Sequence, residues 1–194
     1  AEKNFVDGDS GAAITQYEKY LRDYPTGQRA LEAHFRLGQL YYAKEQYDRS
    51  MPHYNYVISK ERSEFTEEAL ARLGQIYLSN RNYTEAAPLL QRLEAEADIP
   101  QNIIFAQSNL MKSYYELKQY DKSVNYAEKV LANAKIDNKV KSDAQVIIAR
   151  SAMMTNNEPR AKQAYAEVQK IATGELAAEA LYYDAYFKNK DGQF

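Results

Sequence analysis

Leu37-Gly38-Gln39-Leu40-Tyr41-Tyr42, followed by Tyr47-Asp48, returns as Leu73-Gly74-Gln75-Ile76-Tyr77-Leu78 with Tyr83-Thr84 and again as Leu110-Met111-Lys112-Ser113-Tyr114-Tyr115 with Tyr120-Asp121. The copies lie 36 and then 37 residues apart. A fixed period of that length marks stacked structural repeats rather than one compact core. Small residues keep the same beat over five copies: Ala33, Ala69, Ala106, Ala144 and Ala180 are spaced by 36, 37, 38 and 36 residues. Leu37, Leu73, Leu110 and Ile148 follow four places on, and Tyr41, Tyr77, Tyr114 and Ala152 eight places on. Those offsets share one face of an α-helix.

A second apolar stripe follows each of these helices: Ala13, Tyr17 and Tyr20; Ser50, Tyr54 and Val57; Ala86, Leu90 and Leu93; Ser123, Ala127 and Val130; Ala161, Tyr165 and Val168. Each repeat therefore reads as a helical hairpin, and the fold class as all-α. Helix axes approach to about 8 Å only where a side chain is small. Ala33, Gly38 and Ser50 are thus contact points, with Tyr41, Tyr54 and Val57 as the filling between them. Asp48, Thr84, Asp121 and Asn157 stand where a side-chain oxygen can cap the second helix. Pro52, Pro88 and Pro159 are expected to sit early enough in those helices to remove at most one hydrogen bond each.

The charge balance, 25 Lys plus Arg against 27 Asp plus Glu, lacks the positive field that a phosphate backbone rewards, so nucleic acid is not an expected partner. There is no Cys, which excludes disulfides and thiolate metal sites. Apolar runs such as Val146-Ile147-Ile148-Ala149 are far below the roughly 20 residues that span a bilayer. The opening Ala1-Glu2-Lys3-Asn4 has neither an initiating Met nor a signal sequence and reads as a processed or excised chain.

Enzymatic constellations do not emerge. His34 and His53 lie 19 residues apart on different helices with no acidic or Cys partner at metal-ligand spacing, and read as packing or solvent-facing residues. The seven glycines form no phosphate loop. Carboxylate pairs such as Glu67-Glu68 suit helix starts for macrodipole reasons alone. No enzyme activity, cofactor or metal is expected.

Leu70, Leu73-Gly74, Tyr77, Ala86, Leu90 and Leu93, and likewise Leu37-Gly38, Tyr41, Ser50 and Tyr54, resemble the hairpin signature of the tetratricopeptide repeat family. The spacing is longer than that family's 34 residues. Met111 and Ala149 stand in place of the Gly, and Ala152 and Lys188 in place of the Tyr. The resemblance implies a right-handed superhelix of antiparallel helix pairs. Residues 1–28 are then a partial repeat, 29–64, 65–101, 102–139 and 140–174 are full ones, and 175–194 is truncated. Ala1 to Val6 would hold what remains of the first helix, and Phe194 would fall in the slot of Tyr83 and Tyr120. On this reading more repeats follow in the natural protein; the alternatives to a partner-binding scaffold are a structural spacer or self-association module, pairing through the cut ends at Tyr182 and Phe187, and the sensing segment of a multidomain regulator. The segment from Ala13 to Pro25, ending in Tyr24-Pro25, is similar to a subgroup of periplasmic and outer-membrane-associated lipoproteins, which leans the expected location towards the periplasm of a Gram-negative bacterium.

In the family that these residues resemble, first helices line the concave face and bind protein or peptide partners. The residues off the packing stripe there are Phe35, Gln39, Tyr42, Arg72, Gln75, Asn109, Lys112, Tyr115, Arg150, Tyr183 and Tyr186. Tyr and Arg interleaved in this way suit extended peptides carrying some acid. Of the slots that clamp a partner's terminal carboxylate in some family members, held here by Phe35, Gln39, Glu68 and Arg72, only Arg72 fits. Chemistry differs most at one slot, shared by Gln39, Gln75, Lys112 and Arg150, where partner choice is expected to be written.

Overall fold

The computed structural model describes residues 9–192. The expectations placed on Ala1 to Val6 and on Phe194 lie outside the described residues. Among the described residues there are ten α-helices and no strand. The chain divides into two compact units, residues 1–80 and 81–194.

Unit one contains α1 (Ser10–Asp23), α2 (Ala30–Ala43), α3 (Tyr47–Ile58) and α4 (Thr66–Ser79), each packed on the next. The core of the first three is the predicted stripe: Ala13 and Tyr17 meet Ala33, Leu37, Leu40 and Tyr41, and Ser50, Tyr54 and Val57 are fully buried on α3. Gly38 is where α2 receives the Tyr54 ring of α3. A Cβ there would lie 2.7 Å from Tyr54 Cε1, well inside contact distance, so the propensity cost of a mid-helix glycine, about 1 kcal/mol, is offset by the approach it permits. At the same crossing the Ser50 hydroxyl donates to the Gly38 carbonyl at 2.9 Å.

Unit two contains α5 (Tyr83–Glu96), α6 (Pro100–Glu116), α7 (Tyr120–Leu131), α8 (Asn138–Met154), α9 (Glu158–Ile171) and α10 (Gly174–Lys190). Consecutive helices pack in pairs, and α6 also touches α8, so α6 and α8 form a layer of first helices. Met111, Ala127, Val130, Ala144, Ile148, Ala149, Ala161, Tyr165, Val168, Ala180 and Phe187 belong to one core. Met111 occupies the Gly38 slot, and Ala127 occupies that of Tyr54. Volume lost on one helix is restored on the other.

The turns inside the hairpins are built differently from the sequence expectation. Glu45, Arg81, Lys118 and Asn156 occupy the same slot with φ of 57°, 55°, 58° and 57°, the left-handed region that closes a helix C-terminus. Around Glu45, its own N–H donates to the Tyr42 carbonyl and the next N–H, of Gln46, reaches back to Tyr41, both at 2.9 Å. The Lys118-Gln119 and Asn156-Asn157 pairs repeat that pattern. Because this closure restarts the chain early, the second helices begin two residues before the expected point. Gln46, Asn82 and Gln119 are the cap residues, none with a side-chain cap bond. Asp48, Thr84 and Asp121 lie inside the first turn instead, where an acidic group still suits the helix dipole. Pro52 and Pro88 are consequently inside their helices. Asn157 does cap, accepting from Arg160 N–H at 3.3 Å.

The last helix departs from the beat. Four and eight places after Ala180 stand Asp184 and Lys188, which pair with each other at 2.8 Å. α10 packs instead through Ala180 and Phe187, with Tyr183 stacked on Tyr165.

Candidate functional site

In unit one the candidate side chains come from α2 and α4. Phe35 is not among them: it is 4% exposed, stacked on Phe65 at 4.6 Å and edge-on to Tyr54. The segment leading into α4 covers that side of α2, so the residue two places after Ala33 packs rather than faces outward. Gln39 donates to Glu68 at 3.0 Å and accepts from Arg36 at 3.1 Å. Glu68 also lies 3.6 Å from Arg72 Nε, and the Arg72 guanidinium sits 4.8 Å above the Tyr42 ring. Gln39, Glu68, Arg72 and Tyr42 thus form one polar tie between α2 and α4, half-buried at Gln39, Tyr42 and Glu68. Gln75 is exposed on α4.

In unit two three candidates converge. Lys112 and Tyr115 from α6 and Arg150 from α8 line an open trough of about 260 Å³ together with Tyr83, Glu116, Asp143, Val146, Ile147 and Leu176. Val146, Ile147 and Leu176 give it an apolar floor. Tyr115 is half-buried and edge-on to Tyr120, and burial pushes its phenol up. The two cations are already partnered. Lys112 donates to Asp143 at 2.7 Å. Arg150 holds Glu179 of α10 with two donors, Nε at 2.8 Å and Nη2. Glu179 also accepts from the Tyr165 hydroxyl at 2.9 Å, and its carboxyl is held below the ordinary range, chiefly by Arg150.

Three of the four residues in the slot that varies most between copies have a common job. Gln39, Lys112 and Arg150 each reach an acid on the next first helix, 29, 31 and 29 residues on. Their variation changes the strength of a tie between repeats before it changes any outward chemistry. Asn109 turns back on its own helix, donating to the Phe105 carbonyl at 2.8 Å. Tyr183 is stacked on Tyr165 at 4.5 Å, while Tyr186 is 43% exposed.

Sequence reasoning missed one cluster outright. His34 and His53 meet across α2 and α3. The signal was the register: His34 follows the contact residue Ala33, and His53 precedes the stripe residue Tyr54.

Comparison with known proteins agrees with the hairpin reading. Residues 5–64 match one tetratricopeptide repeat family model and residues 69–102 match another. Among solved structures, the chain is similar to a MamA RS-1 double mutant, at 16% identity over 88% of this chain and 89% of that one, with a TM-score of 0.62. It is also similar to MamA AMB-1, at 18% identity over 91% of each chain, with a TM-score of 0.65. No curated protein matches. At these identities the likeness establishes the fold: an all-helical solenoid of tetratricopeptide type.

Proposed function

We propose that the chain is a non-enzymatic scaffold that captures an extended segment of a partner protein on the first-helix faces, with the trough of unit two as its anchor site. The observation that carries this is the pairing of an apolar floor with cations that are already neutralised. Lys112 and Arg150 are bound to Asp143 and Glu179, so an acidic peptide gains little there. An aliphatic or aromatic side chain seated beside Tyr115 and Leu176, over the buried Val146 and Ile147, removes chiefly its own apolar surface from water at about 25 cal/mol per Å². The preferred segment therefore carries an apolar anchor rather than a run of acids. Binding of a library of extended peptides to the parent chain and to Tyr115→Ala tests this. Apolar-anchored peptides are expected to be retained and to weaken roughly tenfold or more in the variant, consistent with an aromatic hot spot. Selection of acidic peptides without an apolar anchor, or equal binding by a folded variant, removes the reading.

A second reading, self-association, has its own observation. Ala178, Leu181, Tyr182, Ala185 and Tyr186 are exposed along α10 at helical spacing, with Leu181 and Tyr182 60% and 65% accessible. Phe187, expected to share this surface, is buried against the core. Sedimentation equilibrium of the parent and of Tyr182→Lys separates the readings: a dimer that dissociates in the variant supports self-association, and a monomer at all concentrations opposes it.

A further inference from the structure

The α2–α3 hairpin carries a second arrangement that does not depend on the peptide reading. His34 and His53 face each other, Nδ1 to Nδ1 at 2.9 Å. Two imidazole nitrogens at that separation share one proton, one ring donating its N–H and the other accepting with its lone pair, which fixes both tautomers. His34 is stacked on Tyr56 at 3.8 Å, with Lys60 close enough to oppose a positive charge on it. His53 is stacked on Tyr41 and faces Arg49 on its own helix and Glu18 from α1. Glu18 is already engaged, accepting from Arg49 at 3.0 Å and from the Tyr41 hydroxyl.

We propose that the His34–His53 pair is an acid-sensitive latch: near neutral pH the shared proton fastens α2 to α3, and in acid the pair is charged and the fastening is lost. A first extra proton can settle on an outer Nε2 and leave the inner bond in place, but it puts a charge in a half-buried setting next to Lys60 and Arg49. A second must occupy the accepting Nδ1, so that two N–H groups confront each other and the bond is gone. Burial, then His53 and then Lys60, hold His34 down to about 4, and burial also lowers His53.

The sign follows from the unfolded chain, in which both rings take up protons near pH 6.5. Between that value and about 4 the folded state binds fewer protons, so stability is fully present above about 6.5 and falls with pH below it. Each ring that stays neutral in the fold weakens the folding equilibrium about tenfold per pH unit over its own window. Because α2 also carries Gln39 and Tyr42, opening the latch alters the outward face of unit one.

The test is a histidine NMR titration of the whole chain from neutral pH to about 4, with amide exchange read alongside. His34 is expected to remain neutral well below 6.5 and His53 to titrate below its ordinary value, and protection in α1, α2 and α3 to fall over that window while α7 and α9 hold. Replacing both histidines by Phe keeps the stacking on Tyr56 and Tyr41 and is expected to abolish this loss. Histidines titrating near 6.5, protection lost equally in α7 and α9, or the same acid loss in the double variant would each overturn the proposal. If the double variant does not fold, the titration of the parent decides alone.

Discussion

Ser50 Oγ donates to the carbonyl oxygen of Gly38 at 2.9 Å, and Ser123 Oγ does the same to Met111 at 2.7 Å in another hairpin. Both hydroxyls are fully buried, and both carbonyls lie inside helices, where the ordinary backbone bond also reaches them. The hydroxyl is thus a second donor to an oxygen with two lone pairs. It fixes the rotation of one helix about the other where the two cross-helix bonds form.

Ser50→Ala and Ser123→Ala are each expected to cost about 0.5–1.5 kcal/mol. The cost stays at that level because the carbonyl keeps its helical partner and because Ala fits the slot, as Ala86 and Ala161 show in the sister repeats. The two effects should add, since the sites belong to different units. Urea melts of the single and double variants check this. A loss above about 3 kcal/mol would mean that the hydroxyl supports something other than one shared carbonyl.

Gly38→Ala is expected to destabilise by about 1–3 kcal/mol through overpacking, since the new methyl meets the Tyr54 ring. The Met111 and Ala127 pair suggests the remedy. Gly38→Met combined with Tyr54→Ala should be more stable than the two single changes imply, with a coupling of about 1 kcal/mol or more. A double-mutant cycle showing strict additivity would mean that the two slots do not share volume.

Glu45→Gly and Lys118→Gly are expected to stabilise by a few tenths to about 1 kcal/mol, because an L side chain at positive φ is strained there and Gly is not. Part of the gain is returned through the greater freedom of Gly in the unfolded chain. Asn156→Gly should gain less, since Asn tolerates the left-handed region. Thermal melts rank the three, and a larger gain at Asn156 than at Lys118 would contradict the assignment.

Most of the fold was legible because the two stripes obey one geometry. Ser50, Tyr54 and Val57, like Ser123, Ala127 and Val130, are buried as their slots require, and burial follows directly from helical period. Turn chemistry was not legible in the same way. Asp48 and Asp121 look like caps to any rule based on side-chain oxygens, yet a left-handed residue at Glu45 or Lys118 moves the helix start upstream and leaves them inside it. The candidate face was legible in part. Lys112, Tyr115 and Arg150 do converge, but their acidic partners Asp143 and Glu179 are set by the stagger between repeats, which no single repeat reveals. The histidine pair needed the same missing quantity, the relative rotation of two helices.

Glu179 joins three helices of unit two, accepting from Arg150 on α8 and from Tyr165 on α9 while standing on α10. Glu179→Gln keeps the shape but removes the charge that Arg150 holds with two donors, and should cost about 1–3 kcal/mol. Arg150→Lys should fall short of the parent for a geometric reason, since an ammonium cannot present the same fork. The acid dependence is of opposite origin to that of the histidines. Here the folded carboxyl lies below its ordinary value of 4.5, so its contribution is present above that pH and disappears as pH falls through the lowered value. Urea melts of the parent and Glu179→Gln should therefore differ at neutral pH and draw together as the pH is taken down through the lowered value. A gap that stays constant with pH would show that Arg150 reads the shape of the partner rather than its charge.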